Sequence, residues 1–224
     1  MATLVKLKPI VDETRRGQIV RHLRQLIVNG NVQPGERLTE TRLADQLGVS
    51  RAPLREAIRD LVDSGLVESL PYKGLFVRSV TRQDLEELYS LRTALEQFAF
   101  QQCWAKRDPE ARADLEQRHA DLLSEIDRNE DTERAIELEL HLHDWCYELA
   151  GHALLQKTWC QMKPNLQFYF TLHQKAHNRA GPLRQGHEVY VTCALGNSLD
   201  AMQEHLDMHM RQGLEATKMH LPTG

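Results

Sequence analysis

The sequence predicts a mainly α protein in two unequal parts, a short helical unit that closes with a β-hairpin and then an all-helical bundle. Three observations carry this. Apolar residues recur at helical spacing over most of the chain. Strand patterning is confined to two short runs, residues 66–70 and 75–80. The charge also divides where those runs end: residues 1–82 hold 14 Lys+Arg against 9 Asp+Glu, a balance of +5, which leaves 14 against 23, or −9, for residues 83–224. A chain of 224 residues exceeds one typical domain, so a first domain over residues 1–80 and a second over 81–224 are expected. A basic first part suits a polyanionic partner.

The elements follow in order. Thr14 to Val28 carries apolar residues at Ile19, Leu23, Leu26 and Ile27 and stops at Asn29-Gly30, which predicts an amphipathic helix. After the turn Gln33-Pro34-Gly35, Glu40 to Leu47 forms a second short helix that ends at Gly48. Ser50 starts a third: its hydroxyl suits the orphan amides of the next turn, Pro53 is tolerated there, and Leu54, Ile58 and Leu61 give one apolar face before Ser64-Gly65. Two strands around Pro71-Tyr72-Lys73-Gly74 complete the unit. Beyond it, Thr81 and Asp84 make a capping box for a helix through Leu85, Leu88, Leu91, Leu95 and Phe98 to about Trp104. Further helices span Asp108 to Asn129, Asp131 to Ala150, His152 to His177 with a kink at Pro164, Pro182 to Leu195, and a last one through Met219.

The second and third helices have the mechanics of a helix-turn-helix. Ala44 is small where the helices cross, Gly48 accepts the positive φ of the turn, and Val49 and Leu54 plug the core beneath it. Arg51, Arg55 and Arg59 recur every four residues beside the apolar face, so they can enter a major groove while Leu54 and Ile58 stay buried. With a wing tipped by Lys73 and Gly74, the expected fold is an N-terminal winged helix-turn-helix with a small β-hairpin wing and a C-terminal all-helical bundle. Arginines suit guanine edges, and Ser50, Lys73 and the helix N-terminus suit phosphates.

Other readings are narrowed by composition. No apolar run spans a bilayer and Met1 to Ile10 lacks the apolar stretch of a signal peptide, so a cytoplasmic protein without membrane contact is expected. Cys103, Cys146, Cys160 and Cys193 show no C-x-x-C pairing and read as free buried thiols.

The run Pro34-Gly35-Glu36-Arg37-Leu38, Leu43-Ala44, Gly48-Val49-Ser50-Arg51-x-Pro53-Leu54-Arg55-Glu56-Ala57, Gly65-Leu66-Val67 and Lys73-Gly74-x-x-Val77 resembles the GntR family of bacterial regulators. The resemblance implies a DNA-binding, ligand-responsive repressor or other transcription regulator rather than an enzyme. Its DNA-contacting positions fall on Arg42, Ser50, Arg51, Ala52, Arg55 and Gly74, to which residue chemistry adds Lys73. A homodimer on a pseudo-palindromic double-stranded operator follows from the short half-site one such unit reads.

The remainder resembles the FadR-type branch, whose effector domain is called FCD, on Leu91-Arg92-x-x-Leu95-Glu96, His143 with Gly151, and His187 with His209. Many members hold a divalent metal on an Asp and three histidines, and the metal helps bind a carboxylate effector. The matching residues are Glu139, in place of that Asp, with His143, His187 and His209; zinc, nickel and manganese all suit mixed N/O ligation. Other pairs at the same spacing, His173 with His177 and His205 with His209, leave the histidine pattern itself unselective. Glu139, His143 and Cys146 form a stripe at the edge of the buried face of their helix. Arg92 could hold an effector carboxylate or pair with Glu96 one turn on. Two alternatives stay open: a metal-free helical sensor that binds an acyl thioester or another ligand, and a metal-dependent hydrolase.

Overall fold

The computed structural model describes residues 15–79, 81–177 and 181–218, the side chains at 172 and 175–177 excepted. Expectations for Met1 to Ile10, for Thr14 and Met219 as helix ends, for Val80 and for the His177 side chain lie outside the described residues.

The first unit contains α1 (Arg15–Val28), β1 (Arg37–Leu38), α2 (Glu40–Leu47), α3 (Arg51–Asp63), β2 (Val67–Leu70) and β3 (Gly74–Val77). Most of the expected core is buried: Ile19, Leu23 and Ile27 of α1 and Leu54, Ile58 and Leu61 of α3, with Ala57 added and with Leu26 and Val49 only half-buried. Gly48 turns the chain between α2 and α3 at φ 61°, and Val49 N–H donates to Ala44 O at 3.1 Å. Glycine avoids the penalty a Cβ meets there.

Two local expectations are corrected. The Ser50 hydroxyl makes no capping hydrogen bond, although its backbone is extended as an N-cap requires. The wing is not a bare hairpin: β1 adds to its edge, giving an antiparallel sheet in the order β1-β3-β2 with Arg37 opposite Phe76 and Val67 opposite Val77. A two-residue strand has too little alternation to register as a period, which is why the sequence reads only as a turn there.

The bundle contains α4 (Arg82–Cys103), α5 (Pro109–Arg128), α6 (Thr132–Ala150), α7 (Ala153–His177), α8 (Arg184–Leu195) and α9 (Leu199–Lys218). The predicted capping box opens α4, with Asp84 N–H on Thr81 Oγ1 at 3.1 Å and Thr81 N–H on Asp84 Oδ2 at 2.9 Å. Pro164 lies inside α7, which continues through it. A 3₁₀ turn, Trp104–Lys106, follows α4, and α8 starts at Arg184 rather than Pro182.

The apolar stripe read on α4 is rotated from the face it buries. Buried are Leu85, Tyr89, Arg92, Glu96, Ala99, Phe100 and Cys103, whereas Leu91 is 49% and Phe98 38% exposed. Nor do Glu139, His143 and Cys146 border the core; all are buried, because α6 packs against α4, α5 and α7 and is covered on most sides. The cysteines divide: Cys103 and Cys146 are buried, Cys193 is half-buried, and Cys160 is exposed.

The two units touch. Asn165 Nδ2 of α7 donates to Ser64 O, at the end of α3, at 3.0 Å, and Asn29 Nδ2 donates to Glu133 Oε2 at 3.0 Å.

Candidate functional site

The bundle encloses a polar centre assembled from four helices. Arg92 and Glu96 sit one turn apart on α4, Glu139 and His143 one turn apart on α6, His187 on α8, and His205 and His209 one turn apart on α9. His143, His187 and His209 each present a donor atom within 4.8 Å of the others, with ring centroids 5.0–5.7 Å apart. The close approach of α8 and α9 depends on Gly186, where a Cβ would lie 3.3 Å from His209 Nδ1.

The second nitrogens orient this triad. His143 Nδ1 lies 2.6 Å from Glu96 Oε1 and His187 Nδ1 3.2 Å from Leu183 O. Both acceptors require a protonated Nδ1, so in the neutral form of each ring the lone pair is on Nε2. Neither Nε2 has a hydrogen-bond partner, and both are buried. Two unpartnered imidazole lone pairs facing a third histidine, each ring steadied through its other nitrogen, fit a cation.

Glu139 is beside this triad rather than within it. Its Oε1 lies 3.6 Å from His187 Nε2, and among the described residues the group within mutual 4.8 Å reach contains the three histidines alone. The longer side chain relative to Asp agrees with that offset. Burial alone would raise the Glu139 carboxyl, but His187, His143 and Arg92 outweigh it and hold it below the usual range.

Glu96 connects the site. Besides His143 it accepts from Tyr190 Oη at 2.8 Å and pairs with Arg92 Nε at 3.4 Å. Burial raises its carboxyl, yet His143 above all, then Arg92 and Tyr190, hold it anionic. Burial pushes His143 down, only partly offset by Glu96, and pushes His209 well below the ordinary imidazole value, helped by His187 and His143. Of the two expectations for Arg92, the structure shows the pair with Glu96, through Nε; Nη2 has no hydrogen-bond partner. Burial would lower the guanidinium, but Glu96 and Glu139 raise it.

Arg92, Glu139, His187, His205 and His209 line a cavity of about 550 Å³, to whose wall α7 contributes Phe170 and His173. Sequence reasoning missed Glu96 as the partner of His143 and missed Tyr190, and it named His205 only as one of several pairs at the same spacing. Tyr190 stands three residues after His187 and His205 four before His209, spacings that share a helix face.

At the other end of the molecule, Arg42, Ser50, Arg51, Ala52, Arg55 and Lys73 are exposed and Gly74 is half-buried. Arg55 Nε donates to Glu40 Oε2 at 2.8 Å across the α2–α3 crossing. The wing tip is Tyr72, at φ 62° and fully exposed, with Lys73 beside it; Gly74 instead opens β3 at φ 108°. A Cβ at Gly74 would lie 3.4 Å from Nε of Arg37, an exposed cation on β1 that sequence reasoning passed over.

Comparison with known proteins agrees with this division. Residues 15–77 match the model of the bacterial regulatory proteins of the gntR family, and residues 87–212 match the FCD domain. The HTH-type transcriptional regulator YdhC of Bacillus subtilis (strain 168) is 28% identical over 207 residues, 92% of each chain. An HTH-type regulator in an unstable DNA locus of Streptomyces ambofaciens is 31% identical over 215 residues, 93% of this chain and 89% of that one. The E. coli McbR/YncC structure superposes with a TM-score of 0.76 at 21% identity, covering 93% of this chain and 99% of that one, a likeness of fold. FCD domains are often metal-binding, and no helix among the described residues is long and apolar enough to cross a membrane. The chain belongs to the GntR family: it is a DNA-binding transcription regulator whose helical bundle is an FCD domain.

Proposed function

We propose that this regulator senses a small carboxylate in the bundle cavity and changes its operator affinity in response. The observation that carries the reading is that His187 Nε2 and Arg92 Nη2, both buried and without a hydrogen-bond partner, belong to residues lining one cavity, and that His187 shares its histidine group with His143, whose Nε2 also has none. Unpartnered buried polar atoms are costly, and a ligand that engages them repays that cost. His143, His187 and His209 would hold a divalent ion, zinc, nickel or manganese, with Glu139 as the neighbouring carboxylate. When bound, the ion supplies open positions for a carboxylate oxygen. Arg92 orients the other oxygen through Nη2 while its Nε stays on Glu96.

Residues 1–80 act as the DNA-binding domain, with Arg51 and Arg55 reading bases and Arg42, Ser50, Ala52, Lys73 and Gly74 placing the backbone. The free Ser50 hydroxyl supports this, since no cap bond competes for it. Residues 81–224 act as the effector and dimerisation domain. The exposed Leu91 and Phe98, two turns apart on α4, and exposed Leu154 on α7 support a homodimer face.

The test is metal analysis of untagged protein, with His187→Ala and His209→Ala beside it. Wild type is expected to carry a divalent ion, and both variants to lose it together with the effector response while operator binding persists. A metal-free wild type whose variants respond normally would remove this reading.

A further inference from the structure

The same cavity has a graded lining. At its deep end Arg92, His187 and His205 are only 2%, 3% and 7% exposed, and Arg92 Nη2, His187 Nε2 and His205 Nε2 have no hydrogen-bond partner. At its mouth stand Leu183, Val189 and Met208, 65%, 42% and 51% exposed. Single exposed apolar side chains are ordinary. Three on the rim of one cavity, contributed by the start of α8, its body and α9, are a different matter. Solvent exposure would favour the reverse arrangement, with apolar groups deep and polar groups outside.

The polar residues near the mouth do not change this gradient. Gln185 and Gln212 are exposed and keep water. Thr217 is engaged with Gly213 O at 2.8 Å and with Tyr89 Oη at 3.4 Å, and Arg184 is paired with Asp127 at 3.1 Å. Between the two ends, Tyr89, Phe170 and Met210 are buried wall residues that offer carbon surface.

We infer that the effector is an amphipathic carboxylic acid, its carboxylate inward on Arg92 and the histidine group and an alkyl or aryl tail reaching outward to cover Leu183, Val189 and Met208. This rests on the carboxylate reading above and specifies the rest of the molecule. A cavity of about 550 Å³ leaves most of its space empty around a two- or three-carbon acid. A polyhydroxy acid would also fit, but its hydroxyl groups over Leu183, Val189 and Met208 would gain none of the apolar burial that a hydrocarbon tail gains there.

The test is calorimetric titration of the full-length protein, as purified, with acetate, butanoate, hexanoate, octanoate, phenylacetate and gluconate. Affinity is expected to rise about fourfold per added methylene, the equivalent of about 0.8 kcal/mol each, with an increasingly negative heat-capacity change. Gluconate is expected to bind no tighter than acetate. Met208→Gln and Val189→Thr, both at exposed rim positions, should lower the ratio of octanoate to acetate affinity. If acetate binds and the series is flat, or if gluconate is preferred, the amphipathic effector is overturned and the carboxylate site stands. If no acid of the series binds at all, the carboxylate reading itself fails.

Discussion

Glu96 Oε1 lies 2.6 Å from His143 Nδ1, so the carboxylate that neutralises Arg92 also fixes which nitrogen of His143 faces the histidine group. The triad and the cationic anchor of the cavity therefore share one residue. Glu96→Gln keeps the shape and removes the charge, and it is expected to weaken metal binding about 10- to 100-fold, the usual cost of losing such a supporting partner. Chelator competition measures this, with circular dichroism to confirm the fold. Tyr190→Phe, which removes one of the other bonds to the same carboxylate, should have a smaller effect in the same direction.

Without DNA, Arg55 is held by Glu40 at 2.8 Å, with the two side chains 60% and 33% exposed. Exposed pairs contribute about 0–1 kcal/mol, so Glu40→Gln should leave the melting temperature nearly unchanged. By freeing Arg55 it should tighten operator binding up to about fivefold, the same 0–1 kcal/mol. Arg55→Ala, and separately Arg51→Ala, should weaken binding by about 1–3 kcal/mol and relax specificity at the base concerned. Fluorescence anisotropy on operator and scrambled duplexes separates these outcomes. Unchanged binding in both arginine variants would remove α3 as the reading helix.

The metal-free protein should lose stability on acidification. Burial first, and then neighbouring cations, lower His143 and His209 in the fold, while the unfolded chain takes up protons near the ordinary value of about 6.5. Below that value the unfolded state binds more protons than the native one, so stability is full above it and declines as pH falls toward the lower native values. Melting curves of chelator-treated protein between about pH 7.5 and 5.5, a window that brackets that value, should show the decline, and His209→Gln should flatten it. A melting temperature that rises on acidification would contradict the assignment.

Asn165 donates to Ser64 O, and Phe170, five residues further along α7, lines the cavity. The two positions are roughly 7 Å apart along one helix axis, so, on the effector reading proposed above, Asn165 is the side chain of α7 through which a shift at Phe170 would reach the end of α3. Asn165→Ala should leave operator affinity and metal content near wild type and reduce effector-to-operator coupling, typically about 1–3 kcal/mol in total, by up to about 1 kcal/mol, the worth of one hydrogen bond. Titrating operator with and without the effector measures it.

The first unit was largely legible because its rules are local. The turn at Gly48, the apolar face of α3 and the arginines beside it each follow from spacing, as does the box of Thr81 and Asp84. The bundle was legible as helices but not as a packed centre. Leucine periodicity on α4 pointed to Leu91 and Phe98, yet the face turned inward carries Arg92 and Glu96, because their charges are paired with each other, with His143 and with Tyr190. A burial rule based on apolarity misplaces a helix whose inward polar groups find partners on one another and on two other helices. The histidine group needed the family resemblance for the same reason: only the fold brings α6, α8 and α9 together.

The junction between the units limits how freely either could be exchanged. Gly65, beside Ser64, would bring a Cβ within 3.3 Å of Arg78 and 3.8 Å of the Asn165 amide, and Asn29 reaches Glu133 on the other side. A chimera that joins another reader to this bundle at residue 80 would preserve covalent continuity and both cores. It would lose the small residue and the side-chain amide that face α7 and α6. Such a hybrid should bind its DNA and its ligand as two independent proteins tethered in one chain, and recovering a response would require grafting positions 29 and 65 along with the reader.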